Sequence, residues 1–187
     1  MKIVRQKNIK TKRWSGGTTS EIYIYPQNSD YKKLDFSFRL SKATIEIEHS
    51  IFTPLSKIKR QLMVLDGSLE LNHTNHHNSK LEPFETDIFS GDWETKSIGK
   101  VTDFNLMLSS NTEGYLTTIH SDERKMINVY SKCDIICFYA AKGAISYKNE
   151  RLFENEMIVL NNPNDKTEIS LEAFSSIIVT RIWTKFN

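Results

Sequence analysis

The chain has 187 residues, 39% of them hydrophobic and 26% charged, a composition that supports a packed core without disulfide or metal staples. Its 25 Lys and Arg against 23 Asp and Glu leave a net charge of +2, which argues against a dedicated nucleic-acid binder. Seven glycines and four prolines are too few for a collagen-like or linker-rich chain, so each marks a place where the backbone has little choice.

The N-terminal stretch carries Lys2, Arg5, Lys7, Lys10, Lys12 and Arg13. It reads as a solvated edge strand guarded by lysines, the alternative being an arm that contacts phosphate or a membrane. No apolar run follows these charges, so no secretory signal is expected. No run approaches the length of a membrane span either. Ser15-Gly16-Gly17-Thr18-Thr19 is a tight turn or an anion-binding nest of backbone N–H groups. Strand-like segments follow: Glu21 to Tyr25, ended by Pro26, then Phe36 to Ser41 and Thr44 to Glu48, both alternating apolar with polar residues. Gln61 to Leu65 runs into Asp66-Gly67, a hairpin signal, and Ser68 to Asn72 alternates away from it. Asp103 to Leu108 alternates again, whereas Asp122 to Val129 has room for a short helix. Cys133 and Cys137 lie four apart in an apolar stretch, poor geometry for a mutual disulfide. Free thiols suit a reducing compartment, and a cytoplasmic location is expected.

A repeat organises these strands. Met63 to Leu71, Leu81, Ile88-Phe89 and the strand around Leu106 form one copy; Phe138 to Tyr147, Leu152, Val159-Leu160 and the strand around Val179 form the other. Strand, glycine turn, strand, loop, strand, loop, strand, written twice, predicts an all-β bicupin of two stacked jelly-roll units. The expected layout is one compact body over residues 1–187, with an N-terminal unit at 13–112 and a C-terminal unit at 113–187.

Jelly rolls often hold metals, which calls for imidazoles two apart on one strand. The five histidines are His49, His73, His76, His77 and His120, and none forms a His-x-His pair. His73, His76 and His77 fall in a polar segment that reads as a hairpin loop of solvated imidazoles. No metal or other cofactor is expected. Nor is there a nucleophile elbow, a Walker A loop or a dinucleotide fingerprint. The informative residues are polar ones on otherwise apolar strands: Arg39 and Ser41, Arg60, and Asp103 with Asn105. If their faces converge, two guanidiniums and an Asp-Asn pair form a pocket for a small carboxylate. The alternatives are a structural Arg–Asp bridge and a solvent-exposed sheet face.

Six segments in order resemble the HutD/Ves family of degenerate bicupins. They are Arg13 to Ile22 with its Trp-Ser-Gly-Gly-Thr core, Phe38 to Ile45, Phe52-Thr53-Pro54-Leu55, Arg60 to Gly67, Phe89-Ser90-Gly91-Asp92, and Asp103 to Met107. The C-terminal third matches only as the second cupin unit. Ser15 stands where many members have a longer loop, and Ser50-Ile51 and Lys57-Ile58-Lys59 stand where the family has glycines. The resemblance implies a ligand-sensing or regulatory association with histidine utilisation, and it marks Trp14, Thr18, Arg39, Arg60, Asp103 and Asn105 as pocket positions.

The combined expectation is a non-catalytic protein that binds a small carboxylated metabolite. Trp14, Gly16, Gly17, Thr18, Arg39, Ser41, Arg60, Asp103 and Asn105 are its site residues. No membrane partner and no nucleic acid are expected, and free sheet edges leave homodimerisation open. The rival readings are a cupin enzyme, either a metal-free isomerase or epimerase or a metal-dependent oxygenase, and a regulator contacting nucleic acid through the basic N-terminal run.

Overall fold

The computed structural model describes residues 1–184. Strand β1 (Lys2–Val4) is followed by β2 (Lys10–Trp14) and β3 (Gly17–Tyr25). Eight strands come next: β4 (Phe38–Ile45), β5 (His49–Ile51), β6 (Lys59–Asp66), β7 (Leu69–His73), β8 (Asn78–Leu81), β9 (Thr86–Ser90), β10 (Thr95–Ile98) and β11 (Val101–Leu108). The last eight are β12 (Thr112–Ser121), β13 (Lys125–Tyr130), β14 (Ile135–Lys142), β15 (Ala144–Tyr147), β16 (Glu150–Phe153), β17 (Met157–Asn161), β18 (Lys166–Leu171) and β19 (Ser175–Thr184). Two single-turn 3-10 helices, Gln6–Asn8 and Tyr31–Lys33, are the only helical elements among the described residues.

The chain divides into two compact units, Lys10–Thr112 and Met1–Ile9 together with Glu113–Asn187. The first holds a six-stranded sheet, β2-β3-β4-β11-β6-β9, and a four-stranded sheet, β5-β10-β7-β8. The second holds β1-β17-β14-β19-β12 and β13-β18-β15-β16. The order β4-β11-β6-β9 thus recurs as β12-β19-β14-β17, and β5-β10-β7-β8 recurs as β13-β18-β15-β16. This is an eight-stranded jelly roll written twice, with Gly67 and Gly143 turning the matching hairpins.

Alternation along the strands fills each interior. In the first unit Ile45, Leu62, Val64, Leu69, Leu71, Leu81, Phe89 and Val101 form one buried cluster. The second unit packs a larger one around Ile136, Phe138, Ile145, Ile158, Ile169, Ile177 and Val179. β-branched side chains dominate there, as expected where a pleated surface is buried.

One expectation is corrected. Residues 125–130 are strand β13, not part of a helix, because they pair residue for residue with β18, from Lys125 opposite Leu171 to Tyr130 opposite Lys166. A short segment without a clear period takes the structure its hydrogen-bonding partner offers. The basic N-terminus forms two strands, each at a sheet edge as expected of a lysine-guarded segment. β1 lies against β17 at one sheet edge, and Arg5 there donates to Glu150 at 2.7 Å and Glu156 at 2.9 Å. β2 is the exposed edge of the six-stranded sheet, with Arg13 paired to Glu46 at 2.8 Å. Both cysteines are free, Cys137 fully buried and Cys133 partly so. Among the described residues no helix is long and apolar enough to cross a membrane.

Candidate ligand cavity

The six-stranded sheet of the first unit carries a polar patch on one face. Antiparallel register places Arg39, Met107 and Arg60 in one cross-strand row over β4, β11 and β6. The next row along is Glu21, Ser41, Asn105 and Leu62, and the third is Thr19, Ala43, Asp103 and Val64. Side chains two apart on a strand share a face, so these three rows line one wall. A cavity of about 520 Å³ opens against that wall, with Tyr31, Phe52 and the edge-strand residues Lys10, Lys12 and Trp14 around it.

The polar side chains are deeply set: Arg39 is 5%, Arg60 6%, Asp103 2% and Asn105 4% exposed. They are bonded in two groups. Arg39 Nε donates to Glu21 Oε2 at 2.8 Å, Arg39 Nη1 donates to Ser41 Oγ at 3.0 Å, and the guanidinium lies 4.4 Å over the Tyr31 ring. Arg60 Nη2 donates to Asn105 Oδ1 at 3.0 Å, and Asn105 Nδ2 donates to Asp103 Oδ1. The amide therefore turns its oxygen to the cation and its nitrogen to the carboxylate, so it relays Asp103 to Arg60 without direct contact. Phe52 and Phe89 flank the Arg60 guanidinium at 4.8 and 5.1 Å. Arg60 Nε, though buried, has no hydrogen-bond partner among the described residues. A buried, unsatisfied N–H of a charged group costs on the order of 1–3 kcal/mol or more, a cost that a ligand oxygen removes.

Burial governs the charges. It pulls Arg60 down to about 10 against the opposing attraction of Asp103, so the guanidinium stays cationic at neutral pH. It pushes Asp103 up to about 7 despite Arg60 and Asn105, so this carboxyl is only partly ionised there. With two guanidiniums and two lysines facing Glu21 and a half-charged Asp103, the lining favours an anion. It contains no imidazole or thiolate and does not fit a divalent cation.

Trp14, Arg39, Ser41, Arg60, Asp103 and Asn105 all line the cavity, whereas Gly16, Gly17 and Thr18 do not. The β2–β3 hairpin explains the split. Trp14 pairs with Gly17, Lys12 with Thr19 and Lys10 with Glu21, so Thr19 and Glu21 face the cavity and Thr18, opposite Arg13, faces away. The glycines shape the wall from behind: a Cβ on Gly16 would collide with the Trp14 indole, and one on Gly17 with the Thr44 carbonyl oxygen. Sequence reasoning missed Glu21, although strand parity from the glycine turn identifies it. It also missed Tyr31, which arrives on the short 3-10 helix between β3 and β4. The Phe52 to Leu55 and Phe89 to Asp92 segments prove to be one structure. Leu55 N–H donates to Gly91 O and Gly91 N–H to Ile58 O, both at 2.7 Å.

Among the described residues the second unit has no equivalent lining. Counting back from the hairpin glycines, Arg60 and Leu62 correspond to Ile136 and Phe138. Across the ladder, Asp103 and Asn105 correspond to Ile177 and Val179. Apolar side chains fill that interior where the first unit is polar.

The histidines also depart from expectation. His73 is not a solvated loop residue but the buried last residue of β7, 2% exposed. Its Nε2 lies 2.9 Å from Asp87 Oδ2, its Nδ1 lies 2.8 Å from Thr95 Oγ1, and His77 Nε2 lies 2.9 Å from Asp87 Oδ1. His76 stacks on Trp93 at 3.8 Å. Burial holds His73 below the usual imidazole range. Burial acts to raise Asp87, but hydrogen bonds from Ser79, His73, His77 and the Ile88 N–H keep it low.

Comparison with known proteins agrees with this architecture. The HutD family model matches residues 6–179. HutD from Pseudomonas fluorescens SBW25, described under a formate condition, superimposes with a TM-score of 0.80 at 19% identity, covering 99% of each chain. A conserved protein of unknown function from Pseudomonas aeruginosa PAO1 gives 0.80 at 20% identity over 98% of each chain. The bacterial pirin YhhW of Escherichia coli, in complex with nickel(II), gives 0.73 at 8% identity over 99% of each. No curated protein sequence matches the chain.

Proposed function

The chain belongs to the HutD family, and from that premise we propose that its first unit binds a small carboxylated metabolite without transforming it. The observation that carries this reading is Arg60: a buried cation in the cavity wall whose Nε lacks a partner among the described residues. Arg60 is the principal anion donor, and Asn105, steered by Asp103, fixes its guanidinium. Arg39, anchored by Glu21 and Ser41, supplies a second charge across the Met107 row, roughly 10 Å away at the backbone by strand spacing. Lys10 and Lys12 add positive potential at the edge, and Trp14 closes one side. The Ser41 hydroxyl accepts from Arg39 and is not paired with a base, which favours recognition over nucleophilic chemistry. Within histidine utilisation such a protein reports the level of a carboxylated intermediate in the cytosol.

Isothermal titration against the carboxylated intermediates of histidine breakdown tests this. The expected result is one site per chain, weakened more than about tenfold by Arg60→Ala or Arg39→Ala. No heat with any of them, or unchanged affinity in both variants, overturns the proposal. The rival, a metal-free isomerase, rests on Asp103, whose elevated carboxyl is in the range of a general base. Proton NMR of the bound and released ligand separates the two: it is recovered unchanged if the cavity only binds, converted if Asp103 catalyses.

A further inference from the structure

Away from the arginine cavity, His73, His77 and Asp87 bring one ligand atom each to a single point, all within 4.8 Å of one another. We propose that they form a site for a first-row divalent cation of the zinc class, held by His73 Nε2, His77 Nε2 and an Asp87 carboxylate oxygen. The inference is independent of the carboxylate reading.

The backbone prepares the site. His73 ends β7 and His77 follows the turn: His76 N–H donates to His73 O at 2.9 Å and His73 N–H to His77 O at 3.0 Å. Asn75 takes the left-handed conformation that lets this turn close. His76 stacks on Trp93 and so stays out of the cluster. Asp87, on β9, completes the triangle from another strand.

The bonds around the three residues suit a cation. Asp87 Oδ2 accepts from Ser79 Oγ at 2.7 Å and Oδ1 accepts from the Ile88 N–H at 2.7 Å. Each carboxylate oxygen has two lone pairs, so one remains on each, and the two imidazoles aim at these. Thr95 Oγ1 lies 2.8 Å from His73 Nδ1 and has Trp93 O at 3.3 Å for its own hydrogen. A proton on Nδ1 then leaves the Nε2 lone pair for a metal, the outer-shell arrangement that fixes the tautomer of a ligating imidazole. Two imidazoles and a carboxylate match zinc-class ions better than calcium or magnesium. In a tetrahedral zinc shell donors stand about 3.3 Å apart. The His77 side chain, 42% exposed, is the ligand able to close that difference, and it leaves an access route with a water-filled fourth position. The bound ion ties the β7–β8 turn to β9.

The test uses full-length protein without a His tag, titrated with Co2+ in visible absorption and with Zn2+ as competitor, alongside thermal melts. One equivalent of Co2+ with a ligand-field band, displaced by Zn2+ and raising Tm, is the expected result. His77→Ala should weaken binding more than about tenfold; because it also removes a hydrogen bond to Asp87, the rise in Tm with metal is read against the variant's own metal-free Tm. Asp87→Asn provides a second loss variant, and His76→Ala should leave Co2+ binding unchanged. The proposal is overturned if wild-type protein shows no band, or if His77→Ala binds as wild type does. Loss in His76→Ala with retention in His77→Ala overturns it as well.

Discussion

Asp103 makes an unusual demand on the stability of the protein. Burial raises its carboxyl to about 7 from an ordinary 3.8, so between those values the folded protein holds a proton that the unfolded chain has released. Linkage fixes the sign: with more protons bound in the native state, stability falls as pH rises. The favourable contribution is complete below about pH 4 and is lost as pH passes through about 7. Each pH unit in that window costs about 1.4 kcal/mol, and the whole interval sums to about 4 kcal/mol. Asp103→Asn keeps the shape and still offers an oxygen to Asn105 Nδ2, but it removes the titration. Its absolute stability also contains any change in the Asn105 and Arg60 hydrogen bonds that the new amide brings. The pH slope does not. Urea unfolding of wild type and Asp103→Asn every half unit from pH 5 to 8 isolates the difference, since every other titrating group is common to both. The expected result is a stability gap that shifts in favour of the variant as pH rises to about 7 and levels off above it. Parallel curves would refute the buried-carboxyl reasoning.

Three further outcomes are expected. An anionic ligand beside Arg60 competes with ionised Asp103, so its affinity should be level below about pH 6 and fall as pH rises above about 7, with proton uptake on binding seen as buffer-dependent heats. Lys57 adopts φ 61, the left-handed backbone that favours glycine, so Lys57→Gly should raise the unfolding free energy by about 0.5–1 kcal/mol, seen as a higher urea midpoint, and a lower midpoint would contradict strain at this residue. Burial raises the Cys137 thiol, so a thiol-reactive dye should label partly exposed Cys133 in the native protein and reach Cys137 only on unfolding; equal labelling rates would show that β14 is not packed as described.

Much of the first unit was legible because its signals are local. Alternation in Phe38 to Ser41 and in Asp103 to Leu108 assigned the faces, and the glycine turns set their registers. Arg39, Ser41, Arg60, Asp103 and Asn105 therefore emerged as one group before any pairing was known. Thr18 failed by a single position, since the facing side chains alternate and the register from the Trp14–Gly17 pair selects Thr19. Lys57 shows the same limit from the other direction: the missing glycine was visible, but not that lysine would accept the left-handed backbone.

Alternation, hairpin glycines and the twofold repeat are properties of neighbouring residues, which is why strand content, the jelly-roll repeat and the polar faces could be read from the chain alone. What required the folded protein is everything that depends on distant partners. β13 is a strand because β18 lies beside it, and β1 joins the second unit because β17 offers an edge. Glu21 anchors Arg39 from a different strand, and Tyr31 covers it from the 3-10 helix between β3 and β4. His73 shows the difference most clearly. Its polar neighbours in sequence suggested a solvated turn, yet its partners are Asp87 and Thr95, fourteen and twenty-two residues away, brought close by β9 and β10. Burial and partnership belong to the tertiary structure, and they decide which polar residues carry chemistry and which only meet water.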